Sequence, residues 1–500
     1  MKIFETINTK EADKITIERQ GITYYQLMQR AAGEVFWWLK NHFADRETTF
    51  HFFCGQGNNG GDGLVVAKLL HKDNYRVFVN VVEEAGKPTE EFLTAKEELE
   101  KTDLKINTRA EYMLDRAQLV FVDAIFGLGL NREMPEEVKS LIKQINNDTR
   151  AIRVSIDVPS GLFMDKGSTF AVKSDYVLTF QFPKLAFYLH GNKDFVNHIE
   201  ILDIGLDKEY INNTPTGLYL TDNIEARKKY RPVAPYAHKG TQGHAVIIGG
   251  SYGKIGAVCL SAKAALKSGC GLVTAYLPKC GYTIIQSYFP EAMALTNGEE
   301  YIEAISFDVT PKAIGLGPGI GQHPDTQQAI YNFLKNNHTP LVIDADALNI
   351  LAQHKEWLSL LPENTILTPH PKEMERLIGS WQNDFERIAM MKAFSHAHNI
   401  ILVAKDAHTM IVEGNTVFVN PTGNAALATG GTGDVLTGII TGLLAQGYPP
   451  ADAAIFGVYL HGHTADIASG KTSIQAFTAS DCIDNIGKSY LAIEKIALKK

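Results

Sequence analysis

Between residues 48 and 207, six short apolar runs recur, each followed by a stretch with helical spacing, and this rhythm admits few folds. The runs are 49–54 (TFHFFC), 76–82 (RVFVNVV), 118–124 (QLVFVDA), 151–157 (AIRVSID), 175–180 (DYVLTF) and 198–204 (HIEILDI). Strands linked through crossover helices run parallel and finish at a common edge, so the pattern predicts an α/β, Rossmann-like doubly wound sheet. Ahead of it, 9–20 and 23–43 read as helices. The second carries Leu27, Ala31, Phe36, Trp37 and Trp38 as an apolar face that packs on the sheet or on another subunit.

The rhythm lapses over 212–243, a stretch with Pro, Gly, Asn and charge but no sustained apolar pattern, which puts a boundary near 214–222. Two domains are expected, 1–215 and 222–500. The second opens a new βα series at 244–250 (HAVIIGG), with a small-residue helix at 256–268 and strands at 271–277, 340–344, 365–368 and 399–404. A hairpin over 410–419 turns at Glu413, Gly414 and Asn415, and helices follow at 433–446 and 451–468. A chain of 500 residues with 45% hydrophobic and 21% charged residues can fill both cores. The 48 Lys and Arg against 56 Asp and Glu leave a net charge of -8, with no basic surplus for nucleic acid. Five cysteines without a CxxC pair fit reduced thiols in a cytoplasmic protein, and no run is long enough for a signal peptide or membrane span.

Residues 54–63 (CGQGNNGGDG) directly follow the first run and lead into a helix expected to start near Leu64. Five glycines within nine residues, interleaved with Asn58 and Asn59, exceed what a turn needs for positive φ alone. Such a loop offers backbone N–H groups and a helix N-terminus to an anion, with phosphate as the natural guest. Its spacing is not that of the ordinary GxGxxG dinucleotide loop. Two more clusters, 122–129 (VDAIFGLG) and 156–161 (IDVPSG), sit at the carboxyl ends of later runs and bring Asp123 and Asp157 to the edge where ligands bind. Either aspartate alone can be read as a cap of the following turn. Jointly, oxygens of Asn59, Asp123 and Ser160 suit a hard cation.

These three motifs, in this order, resemble the NAD(P)HX epimerases, also called the YjeF N-terminal domain, across roughly residues 8–207. The resemblance implies that Asn58, Asn59, Gly60, Gly61 and Asp62 line the hydrated nicotinamide dinucleotide together with Gly127, Leu128, Gly129, Leu130, Asn131, Arg132 and Glu133. It implies that Asn59, Asp123 and Ser160 hold K+ and that Asp157 contacts substrate. Leu128 departs from the small polar residue frequent in the family. The hydroxyl of hydrated NAD(P)H sits beside the ring nitrogen, so acid help to its departure and base help to its return scramble the configuration. Asp157 or Asp123 can serve; a bound K+ would keep Asp123 ionised, which makes Asp157 the preferred acid/base.

In the second half, Thr429, Gly430, Gly431, Thr432, Gly433 and Asp434 stand just before an apolar helix. Glycine amides at a helix start can hold a transferring phosphoryl group while the adjacent aspartate takes the proton of an attacking hydroxyl. A glycine turn capped by Asp434 is the plainer reading, and no GKS or GKT makes this a Walker loop. Companion motifs at 249–251, 315–319, 344–349, 368–373 and 405–409 fall mostly at strand ends, where they can converge. With His238, Lys239 and Gly240 they resemble the ADP- or ATP-dependent NAD(P)HX dehydratases of the ribokinase-like superfamily, over roughly 225–495. That likeness implies substrate contacts at Ala257, Gly319, His370 and Asp434, and nucleotide contacts at Lys405, Asp406, Ala407, His408, Thr409 and Gly433. Asp406 stands where relatives usually have glycine, and a carboxylate near phosphates costs affinity unless it turns outward or meets a cation.

The expected activity is therefore bifunctional: epimerisation of R- and S-NAD(P)HX, then dehydration of the S form through a phosphorylated intermediate, with K+ in one domain and Mg2+ with ADP or ATP in the other. The expected partners are NADHX, NADPHX, the nucleotide and further copies of the chain. Two alternatives stand beside it: a ribokinase-type kinase for a vitamin alcohol, and a first half that only binds or scaffolds. His461 and His463, two apart on a helix, point to different faces and read as structural rather than metal-ligating.

Overall fold

The computed structural model describes residues 1–83, 87–107, 118–130 and 133–497. The described chain forms two compact units, one of residues 2–216 with 383–385 and one of Met1 with 217–382 and 386–500.

The first unit runs α1 (Thr6–Gln20), α2 (Tyr24–His42), β1 (Thr49–Cys54), α3 (Asn58–Lys72), β2 (Arg76–Val81), α4 (Glu90–Glu100), β3 (Ile106–Asn107), β4 (Leu119–Ala124), α5 (Glu136–Asn147), β5 (Ala151–Ile156), β6 (Ser174–Phe180), β7 (Val196–Leu202) and α6 (Lys208–Asn213). Its strands pair in the order β3-β2-β1-β4-β5-β6-β7, all parallel. The order reverses between β1 and β4, so the loops after these two strands flank a crevice where ligands bind in open sheets. Every residue of β1 and β4 is buried, which is why these runs read as continuously apolar rather than alternating. The six expected runs are strands; β3 is an addition, two residues long and held by its pairing to β2.

Two local expectations need correcting. The helix after β1 begins at Asn58, not near Leu64. Glycine is a poor helix former, by roughly 1 kcal/mol per residue, but here packing outweighs propensity. None of Gly55, Gly57, Gly60, Gly61 and Gly63 has positive φ. What the loop needs is close approach: a Cβ at Gly60 would lie 1.8 Å from the Gly55 carbonyl oxygen, and one at Gly63 would lie 2.7 Å from the Ala124 Cβ. On α2, Leu27, Ala31 and Trp38 are buried as expected, but Trp37 is 54% exposed. Successive residues on a helix are about 100° apart, so Phe36, Trp37 and Trp38 cannot share one stripe.

The second unit runs β8 (Leu218–Leu220), α7 (Asn223–Lys229), β9 (His244–Ile248), α8 (Ile255–Lys267), β10 (Leu272–Leu277), α9 (Tyr282–Tyr288), β11 (Met293–Thr296), β12 (Ala313–Leu316), α10 (Pro324–Leu334), β13 (Leu341–Ile343), α11 (Ala345–Gln353), β14 (Ile366–Leu367), α12 (Pro371–Ile378), α13 (Asp384–His398), β15 (Ile401–Ala404), β16 (Met410–Glu413), β17 (Thr416–Val419), α14 (Thr432–Ala445), α15 (Pro450–Ala468) and α16 (Ala479–Glu494). The sheet order is β11-β10-β9-β12-β13-β14-β15-β16-β17-β8. It is parallel except where β16 pairs antiparallel with β15 and β17, the hairpin turning at Gly414 with φ 53°. Strand β8 lies inside the stretch read as patternless and ahead of the expected start at 222. Three residues are too few to show a period, and its place comes from pairing with β17. The helix of small residues, α8, packs on α14 at glycine, since a Cβ at Gly438 would lie 2.1 Å from the Ser261 carbonyl oxygen.

Replacing Gly60 by Ala should therefore destabilise the first unit by about 2–4 kcal/mol. Gly57→Ala, with nothing within 4 Å of the added methyl, should stay within about 0.5 kcal/mol of the parent. Urea denaturation of the two variants checks the contrast; equal losses would disprove the close-approach account.

Candidate functional site

In the first unit the edge of the sheet carries a cavity of about 120 Å3. Asn58 and Asp62 from the first two turns of α3, Leu128 from the loop after β4 and Asp157 from the loop after β5 line it. Gly60 and Gly61 lie buried beneath, and Gly127 backs onto Asn59, whose Cβ would be 3.2 Å from a Cβ at 127. Leu130 closes the turn by donating its N–H to the Gly127 carbonyl at 3.3 Å. Gly129 and Glu133 are exposed and do not line the cavity, and Asn131 and Arg132 lie outside the described residues.

Asp157 has φ 62°, left-handed backbone that a non-glycine residue adopts only under constraint. Its Oδ1 accepts from Lys184 Nζ at 2.8 Å, Thr179 Oγ1 at 3.2 Å and the Phe180 N–H at 3.3 Å. Lys184 is 4% exposed and comes from a segment the sequence reading did not single out. No pattern marks it, because its role arises only once β6 lies beside β5.

Asn59, Asp123 and Ser160 are brought together. Asp123 is 1% exposed and its carboxylate accepts from Ser160 Oγ at 2.5 Å, the Ser160 N–H at 2.8 Å, Ser155 Oγ at 2.7 Å and the Ile125 N–H at 3.3 Å. Burial pushes its pKa up, while the donors from Ser160 and Ser155 pull it back. Asn59 Nδ2 donates to the Phe126 carbonyl at 2.9 Å, and its Oδ1 is buried with no hydrogen-bond partner among the described residues. A buried amide oxygen without a donor is costly unless something positive meets it. One carboxylate, one amide and one hydroxyl form an all-oxygen set that fits a hard cation rather than a transition metal.

In the second unit a larger cavity, about 510 Å3, is lined by Lys405, Asp406, Ala407, His408, Thr409 and Gly433 together with residues of the 420–428 loop. All six expected nucleotide contacts thus meet at one place. Gly431 caps α14 with φ 90°, and the first turn then presents Gly433 and Asp434. Lys405 Nζ donates to Asp344 Oδ1 at 2.8 Å, and Thr437 Oγ1 donates to Asp344 Oδ2 at 2.6 Å. Ala345, the residue after Asp344, has φ 52°, a second strained position at a strand end. Among the described residues no cation is hydrogen-bonded to Asp434: burial, then the charge of Asp344, raise its pKa to about 7 against the pull of Lys405.

Ala257 and Gly319 are neighbours, since a Cβ at 319, where φ is 63°, would lie 3.1 Å from the Ala257 Cβ. His370 caps α12, its Nδ1 accepting from the Lys372 N–H at 3.1 Å, and burial with the charge of Lys405 lowers its pKa. These three do not line the large cavity; His370 shares the electrostatic field of Lys405 and Asp344. Asp406 meets a cation: Arg387 Nη1 from α13 donates to its Oδ2 at 3.0 Å, with the two side chains 6% and 11% exposed. His461 is buried against the cavity, its Nε2 donating to the Thr432 carbonyl at 3.0 Å, and burial lowers its pKa to about 4. His463 instead bonds Ser489 Oγ at 2.7 Å. Sequence reading missed Arg387 and also Asp466, which accepts from the Gly423 N–H at 2.9 Å and Asn424 Nδ2 at 3.0 Å and so holds the cavity loop.

Among the described residues no helix is long and apolar enough to cross a membrane. Residues 24–186 match the family described as YjeF-related protein N-terminus, and residues 245–488 match the family described as NAD(P)H-hydrate dehydratase. The chain is 33% identical to the bifunctional NAD(P)H-hydrate repair enzyme of Moorella thermoacetica, over 95% of this chain and 94% of that one. It is 31% identical to the enzyme of the same name from Dictyoglomus turgidum, over 100% of both. A solved ribokinase-like superfamily protein from Enterococcus faecalis V583 superposes with a TM-score of 0.50 at 25% identity, covering 56% of this chain and 98% of that one. Two matched halves in one chain, similar to such relatives along nearly their whole length, mean that this protein belongs to the family of bifunctional NAD(P)H-hydrate repair enzymes.

Proposed function

We propose that the chain repairs hydrated NADH and NADPH, the first unit interconverting the R and S epimers and the second dehydrating the S epimer at the expense of ADP or ATP. The observation that carries the reading is Asp434, set at the start of α14 beside a cavity of nucleotide size and poised with a pKa of about 7. A base for a ring hydroxyl works best when its pKa lies near the working pH. Asp434 takes the hydroxyl proton, the oxygen attacks the terminal phosphorus, and the bond to the nucleotide's bridging oxygen breaks. Phosphate, a far better leaving group than hydroxide, then departs from the ring carbon while the adjacent carbon loses a proton, restoring the dihydronicotinamide. Lys405, Thr409 and the amides at Gly433 face the phosphates, and Mg2+ arriving with the nucleotide supplies further neutralising charge when bound. Ala257, Gly319 and His370 are the residues proposed to hold the substrate.

In the first unit, Asn58 to Asp62 and the 127–133 loop are proposed to bind the same dinucleotide, with Asp157 as acid/base. Asn59, Asp123 and Ser160 are proposed to hold K+, which the unpartnered Asn59 Oδ1 favours. When bound, the ion would offset the charge of Asp123 and fix the loops on either side of the crevice. The epimerase half delivers whichever epimer the dehydratase accepts, a chemical reason for joining the halves in one chain. The self-associated state and the cytoplasm remain part of this proposal.

Substitutions at three positions test it. Asp434→Asn should cut recovery of reduced nicotinamide about 1,000-fold. The same change should stabilise the fold in alkali, because a carboxyl raised from 3.8 to about 7 gives its stabilisation below pH 4 and loses it as pH rises through 7. Discounting for the part of the group still in water, the gain at pH 8 should be about 1–3 kcal/mol, fading towards pH 4, as read by thermal melts. Asp157→Ala should leave a fast phase from one epimer of a mixture, with the remainder consumed at the spontaneous rate. Arg387→Ala removes the guanidinium that meets the Asp406 carboxylate in the cavity loop, so the KM for nucleotide should rise at least about tenfold, and adding Asp406→Gly should restore most of it. An accumulating phosphorylated product in place of released phosphate would instead identify a kinase.

A further inference from the structure

Four carboxylates, Asp13, Asp62, Glu91 and Asp157, and Lys184 line the cavity of the first unit. Lys184 Nζ has three N–H donors, and they go to Asp157 Oδ1 at 2.8 Å, Thr179 Oγ1 at 2.5 Å and the Phe180 carbonyl at 3.0 Å. Asp157 is thus the carboxylate with a hydrogen-bonded cation, and Asp13 is left without one among the described residues. Asp13 projects from α1, which precedes the segment matched by the family model at 24–186. The helix is anchored at its far end: the Asp207 N–H donates to Thr16 Oγ1 at 2.8 Å, and Arg19 Nη1 donates to Asp207 Oδ1 at 2.9 Å. This fixes the face that carries Thr9 and Asp13, four residues apart, against the cavity. The cavity itself is on the scale of a single six-membered ring.

Resting on the epimerase reading above, we propose that Asp13 is the second acid/base of epimerisation, working opposite Asp157 across the cavity's ring-sized space. Protonated Asp13 gives its proton to the ring hydroxyl, the C6–O bond breaks, and water leaves as the lone pair of N1 forms a cationic N1=C6 bond. A water molecule then adds to the other face, the electron pair returns to N1, and Asp157 takes the proton released from the new C6–O group. One water leaves and one enters, and the enzyme's proton has moved from Asp13 to Asp157. The reverse conversion uses the two groups in exchanged roles, and exchange with solvent resets them. Two carboxyls whose surroundings differ in this way are how one site supplies an acid and a base at one pH. Burial, then the charge of Asp157, push Asp13 up to about 7 against the pull of Lys184. The titratable and charged groups facing Asp13 are Tyr24 from α2, Asp62 from α3, Glu91 from α4, and Asp157 and Lys184 from the segments flanking β6. Asp62 is also pushed up, by burial and then by Asp157 and Asp13, but it is nearly closed off near the start of α3, whereas Asp13 keeps an open face.

The test starts from a purified single epimer and the full chain without nucleotide, so the second unit stays idle, and follows the other epimer by chromatography from pH 5.5 to 9. Wild type should convert at a rate that falls on the alkaline side near the Asp13 pKa, and in 18O-labelled water the new epimer should carry label on its hydroxyl. Asp13→Asn should slow conversion by roughly 100-fold or more and flatten the alkaline limb, while Asp13→Glu keeps the limb and much of the rate. Asp62→Asn should keep the limb. Nucleotide-driven dehydration of the S epimer should match wild type in every variant, which shows the second unit intact, and retained conversion by Asp13→Glu shows that the first unit tolerates substitution at this position. Conversion by Asp13→Asn within threefold of wild type, a limb it shares with wild type, or a limb lost in Asp62→Asn instead would overturn the proposal. If wild type itself forms none of the second epimer above the spontaneous rate, the epimerase reading fails, and not this assignment alone.

Discussion

A carboxylate cannot keep its charge in a closed cleft unless a cation or a set of donors compensates it, and the two units meet that constraint in the same way. In each, one aspartate at a strand end is tied to a lysine at 2.8 Å: Asp157 to Lys184, and Asp344 to Lys405. In each, a second aspartate has no lysine or arginine hydrogen-bonded to it among the described residues and sits with a pKa of about 7: Asp13 in the first unit and Asp434 in the second. The paired group is fixed in place, and the unpaired one can exchange a proton near neutrality. In the proposed chemistry, each half moves a proton on or off a ring hydroxyl.

Parallel sheets make the arrangement available. Every strand of the first sheet, and the run β9 to β15 of the second, deliver their carboxyl ends to one edge, so residues far apart in sequence meet there. Close packing at that edge is enforced by glycines with nowhere to put a Cβ, such as Gly60 against Gly55 and Gly249 against the Pro318 carbonyl, 2.2 Å from the position a Cβ would take. Left-handed backbone at Asp157 and Ala345 sits at the same two edges. The surrounding pairings hold these strained residues, and the strain falls where side chains must be aimed rather than where the core is filled.

Asp406 illustrates how a buried carboxylate in a cavity-lining loop is compensated. If the loop holds phosphates as proposed, an aspartate there opposes them unless its charge is met. Arg387, one helix away in space and 19 residues away in sequence, neutralises it within a nearly closed pair, also stacking near the Trp381 ring at 5.7 Å. The pair works as a unit, so either residue alone is a liability.

Strand positions and the motifs at their ends were legible in the chain, because fully buried parallel strands leave continuous apolar runs and close approach leaves glycine. Asn59, Asp123 and Ser160 could be picked out for this reason, whereas Lys405 to Thr409 with Gly433 were indicated by the resemblance to the dehydratases. The start of α3 could not, since glycine's intrinsic preference opposes the helix that packing imposes. Nor could the outward turn of Trp37, the strand β8, or the roles of Lys184, Arg387 and Asp13, each of which depends on a neighbour that only folding supplies. The sequence by itself determined the two α/β series and which loops carry glycine and carboxylate, because those are set by local periodicity and residue chemistry. Only the tertiary structure decided which carboxylates are paired with cations and which are left to titrate, because charge compensation depends on distances in space that spacing along the chain does not encode.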